Sequence, residues 1–135
     1  MVRKLSLMVA GLLGVVFFLN ASTAEDKKTP SIKDVMKKSA GKTGLCAKCA
    51  AATKAEKWDD AQASAKELAE LGEALAKNPC PGGDADSWKK LSKKYAEQTA
   101  AIKEAADKKD GKALSTAIGA FTKSCKECHD AHKGK

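Results

Sequence analysis

"EKWDDAQASAKELAELGEALAK", residues 56–77, decides the fold of this chain. Trp58, Ala61, Ala65, Leu68, Gly72 and Leu75 recur at steps of three and four, so they form one apolar stripe on a helix with the charges opposite. "NPCPGGD", residues 78–84, stops the segment, because two prolines and two glycines cannot continue a helix. Asp84 is placed as the N-cap of the next segment. That segment's stripe is Trp88, Leu91, Tyr95, Ile102 and Ala105, lapsing at Gln98 and Thr99. "KKDGK" at 108–112 marks a short turn, and the last segment lines up Leu114, Ile118, Phe121, Cys125, Cys128 and His132.

Upstream, Thr29-Pro30-Ser31 is a helix start, with proline where its missing N–H costs nothing. Ile32, Met36, Ser39, Thr43, Cys46 and Ala50 keep the helical spacing across 31–54. Gly41 and Gly44 each cost roughly 1 kcal/mol against alanine inside a helix, so a kink or break is expected there. Nothing after the leader alternates as a strand would, and Ala, Lys, Glu and Leu dominate. Four amphipathic segments with short connections predict an all-α chain: an antiparallel four-helix bundle whose first helix is open to a break around Gly41–Gly44. The stripes are rich in alanine, so a large apolar group would complete a thin core.

The chain has 135 residues, the size of one domain. Residues 1–24 read as a signal peptide: a basic "MVRK", an apolar run of 15 residues too short for a comfortable membrane span, and small Ser22 and Ala24 before a cut. Export to the periplasm is the expectation, with 25–135 as the bundle domain and no stable membrane span after cleavage. Removing Arg3 and Lys4 with the leader takes the formal charge from +8 to +6 and leaves lysine as the only basic type. A diffuse lysine surface without interleaved aromatics argues against nucleic acid and for a charge that sets encounter with partners.

"CKECH", residues 125–129, carries the chemistry. Zinc would need about four ligands, and this segment offers Cys125, Cys128, His129 and His132. A redox disulfide of the thioredoxin kind belongs beside a strand, and no strand is predicted. C-x-x-C-H in an exported chain is the haem-attachment pattern. Two thiols add to the two vinyl groups of haem and the adjacent imidazole becomes an axial ligand; at helical spacing all three share one face. One covalent haem c is the reading: Cys125 and Cys128 as tethers, His129 as proximal iron ligand. No paired carboxylates or nucleophile–base set appears, so an enzyme is not predicted.

A haem motif at the end of a four-helix bundle resembles the class II c-type cytochromes, the cytochrome c′ and cytochrome c-556 family. The family usually follows C-x-x-C-H with two residues, an aromatic and then Arg or Lys. Here His132 takes the aromatic position and Lys133 the basic one, which the resemblance makes a cofactor contact. A histidine in such a place is more often surface than functional. The resemblance implies either an empty sixth position on iron or a methionine from the first helix. In an up-down bundle the start of the first helix faces the end of the last, which puts Met36 at the height of His129 and makes it the expected distal ligand. The implied function is single-electron transfer between periplasmic redox proteins; the alternative is a gas-binding protein with an open distal site. Family bundles often pair through helix faces, so a homodimer is among the expected partners.

"CAKCA", residues 46–50, has the thiol spacing without the histidine, so a second haem is not expected. Counting along a straight helix puts these cysteines roughly 15–20 Å below Met36, out of reach of the first haem. In an oxidising compartment Cys46–Cys49 is a candidate disulfide and Cys80 is left over.

Overall fold

The computed structural model describes residues 28–135, so the expected signal peptide lies outside the described residues. Within them the chain is all helical: α1 (Ile32–Ser39), α2 (Leu45–Lys54), α3 (Trp58–Ala76), α4 (Ala85–Asp107) and α5 (Gly111–His132). α1 and α2 together make the first arm of a four-helix bundle, and α3, α4 and α5 are the other three. α3 packs on α4, α4 on α5, and α2 on both α3 and α5. α1 packs on α3 and touches α2, but no Cα of α1 comes within 8 Å of one in α5. Among the described residues no helix is long and apolar enough to cross a membrane.

The helix ends follow local chemistry. Ser31 Oγ accepts the Asp34 N–H at 3.2 Å and starts α1. Asp84 caps α4 by accepting from the N–H groups of Asp86 and Ser87, at 2.7 and 3.1 Å. Asp110 caps α5 through the Ala113 N–H at 3.0 Å. The first arm breaks where the glycines foretold. Ala40 turns extended after α1, Gly41 takes φ +87°, and Gly44 becomes the N-cap of α2.

The break changes which residues face inward. Ile32 and Met36 are half-buried and Ser39 is buried, as the stripe predicts. Beyond the break the spacing does not carry through: Thr43 is exposed, while Leu45, Cys49 and Ala52 are buried in place of Cys46 and Ala50. A helix restarted after a loop has no reason to keep the rotational phase of the one before it.

The core is a single cluster built around Leu68, Leu75, Ile102, Leu114 and Val35, all fully buried. Its tightest seam joins α3 to α4. A Cβ on Gly72 would run into the Thr99 hydroxyl and sit 3.2 Å from the Ala96 Cα. The lapse in the α4 stripe at Thr99 is thus a fit: the small polar residue is fully buried opposite the glycine, its hydroxyl donating to Ala96 O at 2.9 Å. Gly72→Ala should therefore destabilise the fold by about 1–3 kcal/mol through overpacking, although alanine is the better helix former. A lowered denaturant midpoint with unchanged m-value checks this.

Candidate functional site

The three residues of the CKECH pattern lie on α5 along the face that looks past α4 toward α1. Cys125 and Cys128 are half-buried and His129 is exposed. Cys128 and His129 line a cavity of about 470 Å³ with Ile32, Met36, Trp88 and Lys133 among its walls. Cys125, Cys128 and His129 also line an adjoining chamber of about 30 Å³, again with Met36, and with Tyr95 at its side. The larger cavity lies in the size range of small-molecule and cofactor sites. It is the space left where α1 stands off α5.

The structure therefore places Met36, from α1, and His129, from α5, on walls of the same two cavities. Lys133 and Lys33 lie on the larger one. A hollow of about 580 Å³ between α4 and α5 is wider, but among its lining residues there is no sulfur or imidazole to tether or ligate a haem.

His132 corrects the expectation of a surface residue. It is only 4 % exposed. Its Nδ1–H donates to Gly82 O at 2.8 Å, which leaves Nε2 to accept from the Ser87 hydroxyl at 3.2 Å. Its ring meets the Trp88 ring edge-on with centroids 5.4 Å apart. Trp88 Nε1 donates in turn to Asn78 O at 3.0 Å, and Asn78 Nδ2 donates to Pro30 O at 2.9 Å. Close packing adds to this: a side chain on Gly83 would meet Ala131 O at 2.8 Å. One knot thus ties the end of α5, the α3–α4 loop and the start of α1, and it holds the floor of the larger cavity.

Cys46 was placed too far away by counting residues along a straight helix. Because the arm breaks, α2 starts anew against α5, and Cys46 sits near Cys125 and Thr122. Burial raises its thiol pKa, the Thr122 hydroxyl lowers it, and the Cys125 thiol adds to the rise. Cys49, one turn on, is fully buried toward α3, with its thiol 3.6 Å from Ala61 O. Burial pushes it up to about 11, helped by Cys46. All five cysteines are free thiols, the candidate Cys46–Cys49 pair included. Burial also raises the Cys125 and Cys128 thiols; for Cys128 the Cys125 and Glu127 charges add to it.

The residues fit a haem. Two half-buried thiols and an imidazole project from one helix face, apolar Ile32, Met36 and Trp88 supply walls, and the buried Tyr95 hydroxyl on the smaller chamber has no partner in full hydrogen-bond geometry. Among the described residues no group of three or more His, Cys, Asp or Glu is arranged to hold a bare metal ion.

Residues 83–133, spanning α4 to the end of α5, match the family model described as Cytochrome C′. No curated protein and no solved structure matches the chain.

Two outcomes check this geometry. His132→Ala should cost about 2–4 kcal/mol, because it removes two hydrogen bonds and a buried ring at once, and urea unfolding of the haem-free chain measures it. Cys49 should resist alkylation at pH 9, where an ordinary thiol is half ionised. Its folded pKa of about 11 lies above the usual 9.0, so its contribution to stability is complete below pH 9 and is lost as pH rises through about 11. Unfolding midpoints followed from pH 8 to 11 test that sign.

Proposed function

From the premise that α4 and α5 are those of a class II c-type cytochrome, a family of electron carriers and gas binders, we propose that this chain is an exported monohaem electron carrier. The observation that carries the reading is the shared space: Met36 on α1 and His129 on α5 line both cavities, with Cys128 on the wall of each and Cys125 on that of the smaller one. When bound, haem c supplies a one-electron ferric–ferrous couple. The chain's own residues do the rest. Cys125 and Cys128 hold the ring by thioether bonds, and His129 offers a nitrogen from the same helix face. Met36 offers a sulfur from across the bundle. With His129 and Met36 both retained as the charge on the iron changed, little nuclear movement would be needed, which would suit electron transfer.

The surroundings agree with that role. Trp88, Ile32 and Met36 keep the cavity apolar. Lys33 and Lys133 at its wall set a positive field, which fits an acidic periplasmic redox partner.

The holoprotein, made with c-type maturation machinery, should give a sharp low-spin spectrum when reduced and ignore carbon monoxide. Met36→Ala should turn the iron high-spin and carbon-monoxide-reactive. A parent spectrum that is already broad and shifts with carbon monoxide would overturn the carrier in favour of a gas binder, and no haem band at all would overturn both.

A further inference from the structure

Among the described residues only two buried side-chain oxygens lack a hydrogen-bond partner, Ser39 Oγ and Tyr95 OH. Ser39 is 1 % exposed. The two are neighbours: the Ser39 hydroxyl lies within loose hydrogen-bonding reach of the Tyr95 oxygen, and with Ser39 turned toward it the Tyr95 O–H is the donor left without an acceptor. A buried hydroxyl with no partner weakens a fold, so such groups are rare in finished structures. Ser39 can turn to Tyr95, but the Tyr95 O–H, on the wall of the small chamber, then points to an acceptor that the haem-free chain does not itself provide.

The position of the pair says where that acceptor belongs. Tyr95 lines the 30 Å³ chamber together with Met36, Cys125, Cys128 and His129. Ser39 follows Met36 by three residues on α1, hence on the same face one turn on. The Tyr95 ring is fixed edge-on against Phe121, centroids 5.0 Å apart, so its hydroxyl cannot swing out to solvent without breaking that contact. A phenol keeps its proton at neutral pH, so the group is a donor. A chamber of 30 Å³ has room for about one water molecule, or for the end of one side chain.

We propose that Tyr95, backed by Ser39, donates a hydrogen bond to the group at the sixth position of the haem iron. In the reading above that acceptor is the Met36 sulfur; a small acceptor molecule held in its place has the same chemistry. The inference rests on haem occupying this cavity. Both hydroxyls are positioning residues. A donor to the sulfur draws electron density from it, favours the reduced iron, and holds the methionine in one rotamer.

The test uses the parent, Tyr95→Phe and Ser39→Ala, each as holoprotein and as haem-free chain, with haem content measured first. In the haem-free chain Tyr95→Phe removes an orphaned polar group and should raise the thermal midpoint by several degrees. In the holoprotein the same change should lower the midpoint. It should also cut the reduced-to-oxidised ratio at a fixed applied potential about fivefold, the equivalent of one ordinary hydrogen bond. Ser39→Ala should move each reading in the same direction by less. In a Met36→Ala background, loss of the Tyr95→Phe effect assigns the acceptor to the Met36 sulfur. A Tyr95-dependent C–O stretch of the reduced carbonyl adduct there assigns it to a small molecule. A holoprotein whose midpoint rises with Tyr95→Phe and whose redox ratio does not move would overturn the inference while leaving the haem reading intact; a parent without haem would overturn that reading instead.

Discussion

The break between α1 and α2 is the constraint on which the site depends. Gly41 at φ +87° and Gly44 at the α2 N-cap let one arm of the bundle follow two directions. α2 closes against α5 and seals that half of the core, while α1 rests on α3 and stands off α5. A straight first helix would have to pack against α5 along its whole length or leave it along its whole length. The first choice fills the cavity with side chains, and the second exposes Leu114 and Phe121, which the core buries. Breaking the arm avoids both, and the resulting gap lies directly over the thiols and imidazole.

Much of this was legible in the sequence because it is local. The α3 stripe, the Asp84 cap, the turn at 108–112 and the helix-face alignment of Cys125, Cys128 and His129 each depend on residues within a turn or two of one another. Even the height match of Met36 and His129 follows from helix rise and antiparallel order. What could not be read was anything that crosses the bundle or the break. The phase of α2 was lost at Gly41, so Cys46 was assigned to the inner stripe and to the wrong end, while Cys49 took the buried place. His132 was misjudged because its partners, Gly82 and Ser87, lie 50 and 45 residues away. A signal was present in hindsight: "CPGGD" supplies a glycine-rich loop whose carbonyls are free to accept, and an unexplained histidine is a natural donor to them.

Charge plays a smaller part than the composition suggests. The five side-chain ion pairs among the described residues are all partly or fully exposed, and four of them are spaced i,i+4 on a single helix. Pairs of that kind contribute little each, and salt screens them. The fold is held instead by the alanine-and-leucine seam of α3 with α4 and by the hydrogen-bonded knot under the cavity. The surplus lysines are left to shape how the molecule meets others in solution.

The stand-off of α1 has a kinetic side. A helix of eight residues that packs on α3 and touches α2, but does not reach α5, is bound on one flank only. Its opening needs fewer contacts to be broken than opening of the core, so its backbone amides belong to the low-stability end of the molecule. A filled cavity would give α1 a second flank and move it toward the slow-exchanging core. The exchange rate of eight backbone amides would therefore report on whether the cavity is filled, and the same looseness offers a freshly made chain a doorway through which a flat, bulky ring can enter sideways before the wall settles.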